Sequence, residues 1–152
     1  MKHLLIISLL FVYSTIVSAA TMTQEVMEKF VAEHVDVIKR NKGYIFFTYE
    51  NVKMALISDV KHDRMRIISA ITKYPSLNLE TKNAVMESNF HLALDARYAV
   101  SQDVLYSVYI HPLSSLTKNE LKSALSQVST LAATFGTTYS SGKLVFKGNA
   151  KK

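Results

Sequence analysis

Four histidines lie beyond the N-terminal segment, His34, His62, His91 and His111, and they are the first residues to test for metal or acid–base chemistry. None belongs to a His-Glu-x-x-His motif, and no two stand four apart on one expected helix, so zinc has no local support. His91 and Asp95 are close in sequence but straddle the start of an expected strand, which suits a surface His beside a strand-edge Asp. Ser114 and Ser115 follow Pro112 without the Gly-x-Ser-x-Gly turn that exposes a nucleophile. The chain has no Cys, which excludes thiol catalysis. Its four glycines, Gly43, Gly136, Gly142 and Gly148, build no phosphate-cradling loop. The carboxylates form no close pair beyond ordinary surface spacing. No catalytic residue, metal ligand or cofactor is therefore assigned, and the expectation is a protein that binds rather than transforms. The alternative, a small enzyme, requires His91, Asp95 or His111 to converge in one concave pocket.

The aromatic residues are more suggestive. Tyr44, Phe46, Tyr49, Tyr98, Tyr106 and Tyr109 all fall in expected strands. Alternation lets one sheet face meet helices while the other stays open. Tyrosine, with an apolar body and a polar tip, suits a partly wet interface. These rings either complete the core or furnish a sheet face or strand edge that takes up a peptide or a second subunit.

The elements that place these residues are legible from periodicity. Thr21-Met22-Thr23-Gln24 has the form of a capping box, and Met27, Phe30, Val31, His34 and Ile38 follow at helical spacing, predicting a helix from about Thr23 to Arg40 that stops near Gly43. Three strands are expected next: Tyr44 to Tyr49, Val52 to Val60 and Arg64 to Thr72, with turns at Glu50-Asn51 and Lys61-His62-Asp63. Tyr74-Pro75-Ser76 ends that run. A shorter helix is expected from Leu79 to about Asn89, then strands from Leu92 to Val100 and Val104 to His111. Thr117-Lys118-Asn119-Glu120 is a second capping box, with Leu116 and Leu121 placed for a hydrophobic staple. Leu121, Ala124, Leu125, Val128, Leu131, Ala132 and Phe135 continue a helix that Gly136 stops. The order α-β-β-β-α-β-β-α predicts an α+β fold, an antiparallel sheet with helices against one face.

The N-terminus reads differently. Lys2 and His3 precede an apolar run from Leu4 to Val17, and Val17-Ser18-Ala19-Ala20 offers small residues for cleavage after Ala19 or Ala20. The run is roughly 14 residues, short of the roughly 20 needed to span a bilayer. Residues 1–19 are accordingly expected to be a signal peptide, 20–136 a single α+β domain, and 137–152 a flexible Lys-rich tail. That organisation predicts a periplasmic or secreted protein that meets a membrane only during export. The net charge is +6, dispersed except for Lys143, Lys147, Lys151 and Lys152. No basic run interleaves with aromatics, so no nucleic-acid partner is expected. A membrane-surface structural role using the Lys-rich tail is a further alternative.

Val85-Met86-Glu87-Ser88-Asn89-Phe90 followed by Leu92-Ala93-Leu94-Asp95 resembles the helix-to-strand passage of class I type III secretion chaperones of the Tir-chaperone (CesT) type. Val104-Leu105-Tyr106-Ser107, Pro112-Leu113 and the helix from Thr117 continue the resemblance, and YbjN-type domains share the same element order. The resemblance implies a homodimer that binds an unfolded segment of a protein partner in apolar grooves made by the first helix and the sheet. In this chain the matching positions are Met27, Phe30 and Val31 on the helix and Ile45, Phe47, Met54 and Leu56 on the strands. Chaperones of that family are cytoplasmic and usually acidic, whereas this chain is basic. Together these readings predict a non-enzymatic protein- or peptide-binding module, chaperone-like, that captures its partner by a sheet edge or an apolar groove.

Overall fold

The computed structural model describes residues 21–143, so the expected signal peptide and the lysine-rich end from residue 144 lie outside the described residues. In chain order the elements are α1 (Gln24–Ala32), β1 (Asp36–Asn41), β2 (Tyr44–Tyr49), β3 (Val52–Asp59), β4 (Arg64–Lys73), a short 3-10 turn (Tyr74–Ser76), α2 (Leu79–His91), β5 (Arg97–Ser101), β6 (Val104–Pro112) and α3 (Lys118–Ala133). The six strands form one antiparallel sheet in the order β1-β2-β3-β4-β6-β5. The fold is α+β, as expected, with one strand more than the sequence pattern suggested.

That extra strand comes from the second half of the expected first helix. α1 begins where predicted, with the Thr23 hydroxyl accepting from the Val26 amide at 3.2 Å, but it ends at Ala32. Val35, Val37 and Ile38 are β-branched and prefer extended backbone. The chain turns at Lys42-Gly43, where Gly43 adopts φ +79, and returns as β2. Glu28, only 6% exposed, fixes this hairpin: its carboxylate accepts from the Gly43 amide at 2.7 Å and meets the Arg40 guanidinium at 3.5 Å.

The remaining hairpins follow local chemistry. Glu50-Asn51 and Gln102-Asp103 both have two residues at positive φ, the geometry of type I′ turns that matches strand twist. Asp63 at φ 50 closes the β3–β4 loop, and its carboxylate accepts from both the amide and the hydroxyl of Ser114, each at 2.7 Å. These bonds hold the Asp63 carboxyl below the usual carboxylate range.

One sheet face carries the core. Ile45, Phe47, Met54, Leu56, Met65, Ile67 and Leu105 pack against Leu121, Leu125, Val128 and Leu131 of α3, with Met27 and Val31 of α1 and Val85 of α2 closing the layer. α3 has the predicted capping box: Glu120 N donates to Thr117 Oγ1 at 3.2 Å and Thr117 N donates to Glu120 Oε2 at 2.7 Å. The Thr117 bonds lower the Glu120 pKa.

β5 starts later than expected. Leu92 to Ala96 is a loop because its amides are taken elsewhere: the Leu94 amide donates to Ser141 Oγ, and those of Asp95 and Ala96 donate to Gln127 Oε1 at 2.8 and 3.0 Å. The segment 137–143, expected to belong to the tail, begins by packing on the domain. Tyr139 stands edge-on to Tyr98 and Phe135, and Ser141 is buried.

Candidate partner-binding surface

The sheet face opposite α3 is where alternation leaves side chains uncovered. Register places Tyr44 beside Ile57, Phe46 beside Ala55, Ala55 beside Ile68 and Ile68 beside Val108. Tyr106 and Ile110 extend the same row along β6. Ala55 is buried among its neighbours, while Tyr44, Phe46, Ile57, Ile68, Tyr106 and Val108 are half-buried and Ile110 is 58% exposed. The result is an apolar stripe crossing β2, β3, β4 and β6. Contiguous apolar surface of this kind marks interaction sites more often than scattered single residues do.

The two sheet edges differ. On β5, the Asn89 side chain from α2 clasps one residue: its Oδ1 accepts from Tyr98 N at 2.7 Å and its Nδ2 donates to Tyr98 O at 3.1 Å. On β1 every residue is exposed, and a register shift between Val37 and Lys39 bends the strand. No side-chain clasp of this kind is found on β1 among the described residues, so its edge has backbone groups available for an added strand.

The sequence-derived partner set sits largely on the other side of the sheet. Met27, Val31, Ile45, Phe47, Met54 and Leu56 are buried between the helices and the sheet. Phe30 is half-buried, stacked on His34 at 4.2 Å, with Lys118 Nζ 5.9 Å from its ring centre. Alternation alone told inside from outside along each strand, but not which face the helices would cover. The stripe residues Phe46, Tyr44 and Tyr106 are legible in the sequence as strand aromatics; nothing local marks Ile57, Ile68, Val108 and Ile110, because only the cross-strand register aligns them.

The candidate acid–base residues come together in part. Asp95 and His111 line a surface hollow of about 410 Å³ with Arg97, Tyr109, Ile110 and Glu120, but His91 is not among its walls and stands edge-on to Phe90. Asp95 Oδ2 is engaged by Gln127 Nε2 at 3.2 Å, and His111 Nδ1 is 2.8 Å from Pro112 O. Burial, with Asp95 and Glu120 adding to it, raises the Tyr109 pKa, so its hydroxyl stays protonated. No group of three or more metal-capable side chains occurs among the described residues, and none of their helices is long and apolar enough to cross a membrane.

No family model and no curated protein matches the chain. Solved structures do. The Yersinia pestis type III secretion chaperone SycH, in complex with a stable fragment of YscM2, aligns with a TM-score of 0.54 and 16% identity over 74% of this chain and 98% of the other. A chain of the HopA1–SchA chaperone–effector complex aligns at 0.52 and 10% identity, over 70% and 92% of the two chains. A chain of the ExsC–ExsE complex aligns at 0.51 and 10%, over 70% and 84%. This likeness corrects the periplasmic or secreted location expected from the N-terminal apolar run. The structures similar to this chain are chaperones of the kind whose family is cytoplasmic, and the run itself lies outside the described residues. The described domain has the type III secretion chaperone fold.

Proposed function

We propose that this protein is a non-enzymatic, chaperone-like binding module that captures a segment of a partner protein. The apolar stripe on the uncovered sheet face is the observation that carries the reading. It offers side-chain pockets between strands, and the neighbouring β1 edge offers unpaired backbone groups. The complexes that share the fold hold protein partners, which agrees with this assignment. The buried set under α1 supports the sheet from behind, with Phe30 as its surface member.

The capturing unit is a homodimer. α2 buries only Val85 and Ser88, while Leu79, Met86 and Phe90 project from it at spacings of seven and four, exposed by 73%, 64% and 83%. Leu92 and Val100, also exposed, extend this apolar end of the molecule towards β5.

Selection of binders to the full chain from a random peptide library tests the capture surface. Selected peptides should lose about tenfold or more in affinity for Ile110→Asp and Ile68→Ser, each removing apolar contact from the stripe, while the melting temperature of Ile110→Asp stays near that of the parent. Peptides that bind both variants as tightly as the parent would remove the stripe from the reading.

A further inference from the structure

The uncovered sheet face is basic as well as apolar. Pairing puts Lys39, Lys53, Arg64, Arg66, Lys73 and Arg97 on the same face as the stripe, all of them exposed. On the strands its carboxylates are Asp36, at the start of β1, and Asp59, whose Oδ2 is already 2.7 Å from His62 Nδ1; at its border Asp95 and Glu120 share a hollow with Arg97, and Asp103 shares one with Lys73. The side-chain bond from His62 is the main cause of a lowered Asp59 pKa. Among the described residues the ion pairs are Arg40–Glu28 and His62–Asp59, so none of these six cations has a carboxylate within 4 Å. Arg64 and Arg97 instead donate to the backbone carbonyls just before them, of Asp63 and Ala96.

Resting on the capture reading above, we infer that the partner segment is acidic: an apolar strand or helix face whose flanking residues are Asp or Glu. The centre of the face, Ala55, Ile57, Ile68 and Val108, is aliphatic and matches apolar side chains, while the surrounding cations match carboxylates. Such a face discriminates mainly against the wrong charge, because a basic segment would place like charges together.

Other occupants fit less well. The chain's own residues outside the described region cannot supply the acid: all twelve Asp and Glu lie within residues 21–143, and residues 144–152 add only Lys147, Lys151 and Lys152 to the charge. A second copy laid face to face would oppose cation to cation. Lipid headgroups would satisfy the cations, but apart from Ile110 the stripe is half-buried or buried, so it has little to insert. Nucleic acid would also meet the cations, yet bases stack on exposed aromatic planes, and the stripe's rings, Tyr44, Phe46 and Tyr106, are half-buried among aliphatic neighbours. Neither would use the β1 edge.

The test uses the full chain and three synthetic peptides of one apolar pattern, with the intervening positions all Glu, all Gln or all Lys, followed by fluorescence anisotropy. The Glu peptide should bind about tenfold more tightly than the Gln peptide at low salt and the Lys peptide least, with the gap narrowing as salt is raised. Arg64→Glu combined with Arg66→Glu should invert the order of the Glu and Lys peptides while leaving the circular dichroism melt unchanged, since both positions are exposed. If the melt does shift, Lys53→Glu with Arg97→Glu asks the same question from the neighbouring strands. Equal affinity for the Glu and Gln peptides overturns the acidic preference and leaves capture standing; failure of all three to bind overturns both. Tighter binding to vesicles of phosphatidylglycerol, or to single-stranded DNA, than to the Glu peptide, lost in the same variants, would reassign the face to that ligand.

Discussion

Asn89 does with one side chain what a further strand would do at the β5 edge. Its amide both accepts from and donates to Tyr98, closing a pair of backbone groups that would otherwise face outward. The same residue ties α2 to the sheet, and Tyr98 in turn donates its hydroxyl to Leu131 O of α3 at 2.8 Å, a buried bond that goes with a Tyr98 pKa raised by burial. Asn89→Ala should therefore cost about 1–3 kcal/mol in urea unfolding, with Asn89→Asp in between because it keeps the acceptor and loses the donor. A loss below about 0.5 kcal/mol for the alanine variant would show that water replaces the clasp. Asn89 is legible in the sequence as a member of Val85-Met86-Glu87-Ser88-Asn89-Phe90, near the end of the expected second helix. Its role is not, because the bond spans nine positions and joins two elements. Gln127 escaped for the same reason: nothing local marks a mid-helix amide as the partner of Asp95 and Ala96 more than thirty residues away.

At the scale of elements, strong local signals were readable and competing ones were not. The hairpin strands, the 3-10 turn at Tyr74-Pro75-Ser76 and the capped α3 carry period and turn chemistry that agree with each other. In the segment after Ala32 two patterns overlap. Val31, His34 and Ile38 continue the helical stripe, while Val35, Val37 and Ile38 favour a strand. The tie is broken by tertiary bonding, as Glu28 captures the Gly43 amide and folds β1 back along β2. Glu28→Ala should leave that amide without its partner, lower stability by about 1–3 kcal/mol and speed amide exchange across residues 36–44. Glu28→Gln retains an acceptor oxygen and should stay close to the parent. The Arg40 contact, with Arg40 largely solvated, adds little. If both variants exchange like the parent, β1 is held by its ladder with β2 alone. That result would also matter for capture, because β1 is the edge on which a partner strand would pair.

For the molecule as a whole, the sheet divides the surface by character. The α3 side is filled by a continuous core, the opposite face holds the basic, apolar stripe, and the α2 end exposes Leu79, Met86, Phe90 and Leu92. That end is unlike the stripe, since a projecting phenylalanine at 83% exposure serves poorly as a shallow pocket and well as a knob. Placing the second copy there leaves the stripe of each subunit uncovered, so dimerisation and partner capture do not compete. A stable dimer buries about 1,600 Å² in total, more than one helix face supplies, and the β5 side with Val100 has to contribute. Sedimentation of the full chain should give twice the chain mass at micromolar concentration. Phe90→Asp should give the chain mass with the same circular dichroism spectrum, because the ring makes little contact with its own core. Binding of the Glu peptide by that monomer should fall only in stoichiometry per particle, not in affinity per chain. A parent that sediments as a monomer throughout would assign the α2 cluster to another partner, and a Phe90→Asp dimer would move the subunit contact off this end.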